Sequence, residues 1–134
     1  TRMKDRMVTD TVFSNSVKAV WKGMVSGKMP PPDKKGTTDF FLKNAQKFKA
    51  RGGKIILVRC PSDGFFKDLE SKGFPRDKFW EELVAKAKVH AYETLKAFET
   101  IEWSHLSGPD ADEFTKNLLV LLRKDNLITN QKPQ

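Results

Sequence analysis

The chain predicts an α/β fold with few strands, and three observations carry that expectation. One continuous apolar run, Lys54-Ile55-Ile56-Leu57-Val58-Arg59-Cys60, follows a helical stretch that ends in Arg51-Gly52-Gly53. A run that is apolar without alternation suits a strand covered on both faces. A second, shorter strand signal at residues 88–93 comes after another helical pattern, the order of a parallel crossover. Apolar residues elsewhere recur at helical spacing. A two-strand sheet is marginal alone, so the sequence reads as an incomplete, helix-rich α/β domain or as one that relies on a partner.

Bulk composition narrows the class. The 134 residues are 38% hydrophobic and 31% charged, ordinary for a polar globular domain with a modest core. The longest apolar run is a few residues, so no transmembrane helix is expected, and no signal-peptide pattern opens the chain. Thr1 rather than Met begins it, as expected of a piece of a longer protein. The lone Cys60 has no internal disulfide partner and points toward a reducing, cytoplasmic setting; a periplasmic or membrane-associated parent is the alternative. Residues 1–54 hold 13 Lys and Arg against 4 Asp and Glu, and the remainder holds 12 against 13. A basic third of this kind is either a solvated surface or a face for an acidic protein, anionic lipid or nucleic acid.

Taken in order, residues 1–25 form a basic amphipathic segment. Val8, Val12, Phe13, Val17, Val20, Trp21 and Met24 make one helical stripe, capped by Thr9 or Asp10 and expected to pack on the domain. Residues 26–37, with three consecutive prolines, read as a linker or long exposed loop. The unit 38–125 then opens with a helix capped by Thr37 or Thr38, carrying Phe41, Ala45 and Phe48 on one face. After the strand, Pro61-Ser62-Asp63-Gly64 leaves the C-terminal strand edge, where open α/β sheets place ligands, and the loop is expected to continue to Phe74-Pro75-Arg76-Asp77. A helix with Phe79, Trp80, Leu83, Val84 and Ala87 follows. The last helix has Ser107 and Asp110 at capping-box spacing, Pro109 in its first turn, and Ala111, Phe114, Leu118, Leu121 and Leu122 inward. Residues 126–134 form a loose polar tail. No internal repeat, Gly-rich phosphate loop or Cys/His zinc set is present, so no cofactor or metal is expected.

The chemistry-bearing stretch is Glu102-Trp103-Ser104-His105-Leu106-Ser107. An acid three residues before an imidazole, in a loop ahead of a capped helix, can fold back onto it and fix its tautomer. A serine hydroxyl needs such a base to become a nucleophile. A surface loop that happens to hold a histidine is the alternative. Ser104 adjoins His105, and because adjacent side chains rarely face each other it is not read as the nucleophile. Arg59 and Ser62 leave the strand toward the same edge. Arg59 either holds an anionic substrate group or pairs with Asp63 or Glu70, and His90 is read as structural. Cys60 is read as a buried, unreactive thiol.

Residues 38–123 resemble the C-terminal part of SGNH/GDSL-like hydrolases. The matching features are residues 51–61, Phe74-Pro75-Arg76 with the Trp80 helix, and Glu102 to Ser107 leading into Asp112-Glu113-Phe114-Thr115. The resemblance implies a partial three-layer, SGNH/flavodoxin-like parallel-sheet domain. It also implies His105 as general base and Glu102 as its acidic partner, where the family has Asp-x-x-His. The family's Gly-Asp-Ser block and early strand are absent, and Ser14 and Ser16 lie in a helix without a sharp strand-to-helix turn. The expected function is therefore the C-terminal part of a serine esterase or acyl-transfer enzyme, or a degenerate relative. It would act on an ester-type small molecule or glycan when completed, and be inactive in isolation. The competing class is a non-catalytic interaction module using the basic third. Pairing of two copies through sheet edges is a third reading, and sequence-specific nucleic-acid recognition is not expected.

Overall fold

A computed structural model describes residues 5–27, 30–93 and 98–129. The chain is helix-rich with one small sheet. Its elements are α1 (Arg6–Thr9), α2 (Thr11–Val25), α3 (Lys34–Ala50), β1 (Ile56–Val58), α4 (Gly64–Gly73), a π-helical turn (Arg76–Trp80), α5 (Glu81–Ala87), β2 (His90–Tyr92) and α6 (Gly108–Lys124). The two strands pair in parallel, with Ile56 opposite His90 and Val58 opposite Tyr92. The sheet thus joins the strands on either side of α4 and α5, as the predicted crossover order requires. Mixed α/β character with few strands holds.

Several local expectations are corrected. The N-terminal stripe does not form one helix with one buried face. Asp10 caps α2 as expected, its backbone extended and its carboxylate accepting from the Phe13 amide at 2.9 Å, and this leaves Val8 in the separate turn α1. Trp21 turns inward against Phe66 at 5.6 Å between ring centroids, while Val12, Val20 and Met24 point outward, Val12 being 78% exposed. The segment 26–37 is partly helical: Asp33, not Thr37 or Thr38, caps α3 by accepting from the Gly36 amide at 2.8 Å. Ala45 is buried as expected, but Phe48 is exposed.

Strand β1 is three residues long and half-buried rather than covered on both faces. Residues 64–73, expected as loop, form helix α4, which places Phe65 and Phe66 beneath α2 and the 102–105 loop. Cys60 is exposed rather than buried. His90 is exposed on β2. The expected first four residues and the tail from 130 lie outside the described residues, as do Lys28, Met29 and 94–97.

Helix α6 behaves as read. Ser107 caps it by accepting from the Asp110 amide at 3.2 Å, and Pro109 lies in the first turn. Its far end is tied to the sheet by the Tyr92 hydroxyl, which donates to the Asp125 carboxylate. Phe114 packs edge-on against Phe98 at 5.9 Å. Among the described residues no helix is long and apolar enough to cross a membrane.

Candidate active site

The loop between β2 and α6 is built around a buried carboxylate. Glu102 has 0% exposure and is the largest fully buried side chain among the described residues. A buried carboxylate is costly unless donors satisfy it. Two do so: His105 bonds Oε1 through Nδ1, and the Ser104 hydroxyl donates to Oε2 at 2.9 Å. The His105 side chain is 40% exposed, and among the described residues nothing hydrogen-bonds its Nε2. An acid bonded to one nitrogen of a partly exposed imidazole, the other nitrogen having no hydrogen-bond partner among the described residues, is a competent general-base arrangement.

The loop keeps this shape because the exit of β1 grips it. The Asp63 carboxylate accepts from the Thr100 amide at 2.8 Å and the Thr100 hydroxyl at 3.1 Å. The Asp63 amide donates to the Trp103 carbonyl at 3.0 Å. One residue thus holds both sides of the turn that carries Glu102. The Ile101 amide closes the loop onto the His105 carbonyl at 3.0 Å. Trp103 itself sits at φ 76°, a conformation that costs a non-glycine residue about 1 kcal/mol or more and persists only where its surroundings impose it.

Those surroundings are specific. The indole lies against Gly64, where a Cβ would come within 2.6 Å of the ring, and Gly64 also has positive φ. Phe65 packs beside the indole at 5.8 Å. Lys18 and Lys22 of α2 lie over it at 5.4 and 5.3 Å from the centroid, within cation–π range. The basic helix therefore directs its two lysines at the loop.

Arg59 and Ser62 meet around a different carboxylate. The Ser62 hydroxyl donates to Glu70 at 2.8 Å, and the Arg59 guanidinium stands 3.9 Å from the same oxygen. The Arg59–Glu70 pair that the sequence offered is present. Both residues line a cleft of about 420 Å³ with Asp63, Lys67, Arg76 and Glu93. His105 does not line it. The structure thus joins Glu102 to His105 and Arg59 to Ser62, and Asp63 links the two groups.

For Ser104 the premise of the sequence reading is corrected. Its hydroxyl stands 2.9 Å from His105 Nδ1, so the adjacent side chains do face each other. Thr100 was missed as part of the site. Asp63 and Gly64 were placed at the ligand edge of the strand, but their hold on the turn that carries Glu102 was not foreseen. Among the described residues no group of three or more His, Cys, Asp or Glu is placed to hold a metal ion.

Comparison with protein-family models, curated proteins and solved structures finds no match to this chain.

Proposed function

We propose that the chain is the histidine-bearing part of an SGNH-like serine esterase or acyl-transfer enzyme, completed by a nucleophilic serine outside residues 1–134. The observation that supports this most is the fully buried Glu102 bonded to Nδ1 of a half-exposed His105. In this reading Nε2 takes the proton of the serine hydroxyl as its oxygen bonds to the ester carbonyl carbon. The tetrahedral adduct then collapses, the carbon–oxygen bond to the alcohol breaks, and His105 returns the proton to the leaving oxygen. Water, or a second alcohol in acyl transfer, repeats the sequence on the acyl-enzyme. Substrates would be ester-type small molecules or acylated glycans.

The test is turnover of a short acyl ester by the complete protein. His105→Ala should lower kcat by about 10³-fold or more, the scale of losing a triad base. Unchanged turnover would remove His105 from the mechanism.

A second reading, a non-catalytic interaction module, is favoured by one observation: residues 1–54 hold 13 Lys and Arg against 4 Asp and Glu. Such a module would use the basic first third of the chain. Titration with anionic vesicles and with nucleic acid at low and moderate salt tests it, since charge-driven binding weakens steeply as salt rises. No binding at low salt would end it.

A further inference from the structure

We propose that Ser104 is a positioning residue: it locks the Glu102 carboxylate and assigns the His105 ring proton to Nδ1, leaving the basic lone pair on Nε2. The argument is one of counting protons. A carboxylate only accepts, and Oε1 of Glu102 already faces His105 Nδ1. The Ser104 oxygen lies 2.9 Å from Oε2, 3.2 Å from Oε1 and 2.9 Å from Nδ1. A hydroxyl has one proton, and an anionic oxygen attracts it more strongly than a ring nitrogen does. The Ser104 proton therefore goes to Oε2, and its oxygen turns a lone pair toward Nδ1.

Two acceptors then converge on Nδ1, which is stable only if Nδ1 carries hydrogen. In the neutral ring the remaining lone pair must sit on Nε2, the nitrogen with no partner among the described residues. The same geometry excludes Ser104 as nucleophile. It stands on the Nδ1 side, behind the ring, and its proton is committed to Glu102. The positive φ of Trp103 turns the chain between Glu102 and Ser104, which lets three neighbouring side chains converge on one point.

The catalytic consequence rests on the hydrolase reading; the proton assignment does not. The first experiment is nitrogen and proton NMR of the imidazole rings in this chain, with exposed His90 as internal control. Wild type should show the Nδ1–H tautomer of His105 with a slowly exchanging Nδ1 proton. Ser104→Ala should raise that exchange rate about tenfold or more and populate the Nε2–H form, with His90 unchanged. Ser104→Thr, which keeps the hydroxyl, should restore the wild-type signature, and serves alone if the alanine variant fails to fold. An unchanged His105 signature in folded Ser104→Ala would overturn the proposal. So would an Nε2–H tautomer in wild type or in a folded Ser104→Thr.

In the complete, active protein, Ser104→Ala should lower kcat about 10- to 100-fold with KM little changed, the range seen when the partner of a reacting group is removed. Labelling of Ser104 by a serine-directed fluorophosphonate would sink the positioning role and make it a nucleophile. Inactivity of His105→Ala with an unperturbed NMR result for Ser104→Ala would overturn this proposal alone. Full activity of His105→Ala would overturn the hydrolase reading alone.

Discussion

The sheet and the loop that follows it are opposites in what holds them. Strands β1 and β2 pair in parallel and β1 is wholly apolar, yet β1 is only half-buried and three residues long. The 99–107 loop is polar, yet it contains Glu102 with no exposed surface, and Thr100 is buried beside it. In most small domains burial follows hydrophobicity and loops stay wet. Here, among the described residues, the most completely enclosed side chain is an acid, and hydrogen bonds from Asp63, Ser104 and His105 organise its surroundings. Preorganised polar groups of this kind are what a reacting site requires, and they make a loop as indispensable as a core.

The largest effect should come from removing the enclosed acid. Glu102→Ala leaves the Ser104 hydroxyl and His105 Nδ1 facing a void and should cost about 3–4 kcal/mol in urea unfolding. Leu57→Ala, in the centre of half-buried β1, should cost only about 1–2 kcal/mol, because it already meets solvent. If Leu57→Ala proved the more damaging, the contrast between loop and sheet would be reversed. Next comes Gly64→Ala, which adds a Cβ within 2.6 Å of the Trp103 indole at a positive-φ site. About 2–3 kcal/mol of destabilisation is expected by thermal unfolding.

Smaller still is Ser107→Ala, which removes the α6 cap and should cost about 1 kcal/mol, measured the same way. It sharpens the comparison, since Ser107 ends the loop and its hydroxyl bonds Asp110 rather than the Glu102 carboxylate. The gentlest probe is alkaline pH. The hydrogen bond to Asp125, aided by burial and by that negative charge, pushes the Tyr92 phenol up to about 12 from its ordinary 10. A raised pKa means its contribution is intact below about pH 10 and is lost as pH climbs toward 12. Tyr92→Phe should flatten stability against pH in that window. An unaltered alkaline limb would detach Tyr92 from it.

Much of this was legible in the chain. The order of helices and the two strands followed from apolar spacing, and Ser107 and Asp110 announced the start of α6. The acid–histidine pairing was legible because three residues of loop suffice to close it. Helix α4 was hidden because Pro61-Ser62-Asp63-Gly64 has turn composition, and the helix starts on its glycine. Asp63 does not cap α4 with its side chain; the carboxylate reaches Thr100 instead. A contact across 37 residues leaves no local trace. The outward stripe of α2 was misread for a related reason. Helical period specifies which residues share a face, and only the tertiary partner decides which face is covered.

The two lysines over Trp103 have a practical consequence. An indole with positive charge held above it emits differently from one in plain solvent, and Lys18 and Lys22 both belong to α2. With Trp21 and Trp80 replaced by Phe, Trp103 would be the sole indole emitter of the chain's three tryptophans. The molecule would then carry its own optical gauge, one that changes when the first long helix lifts from the loop holding His105.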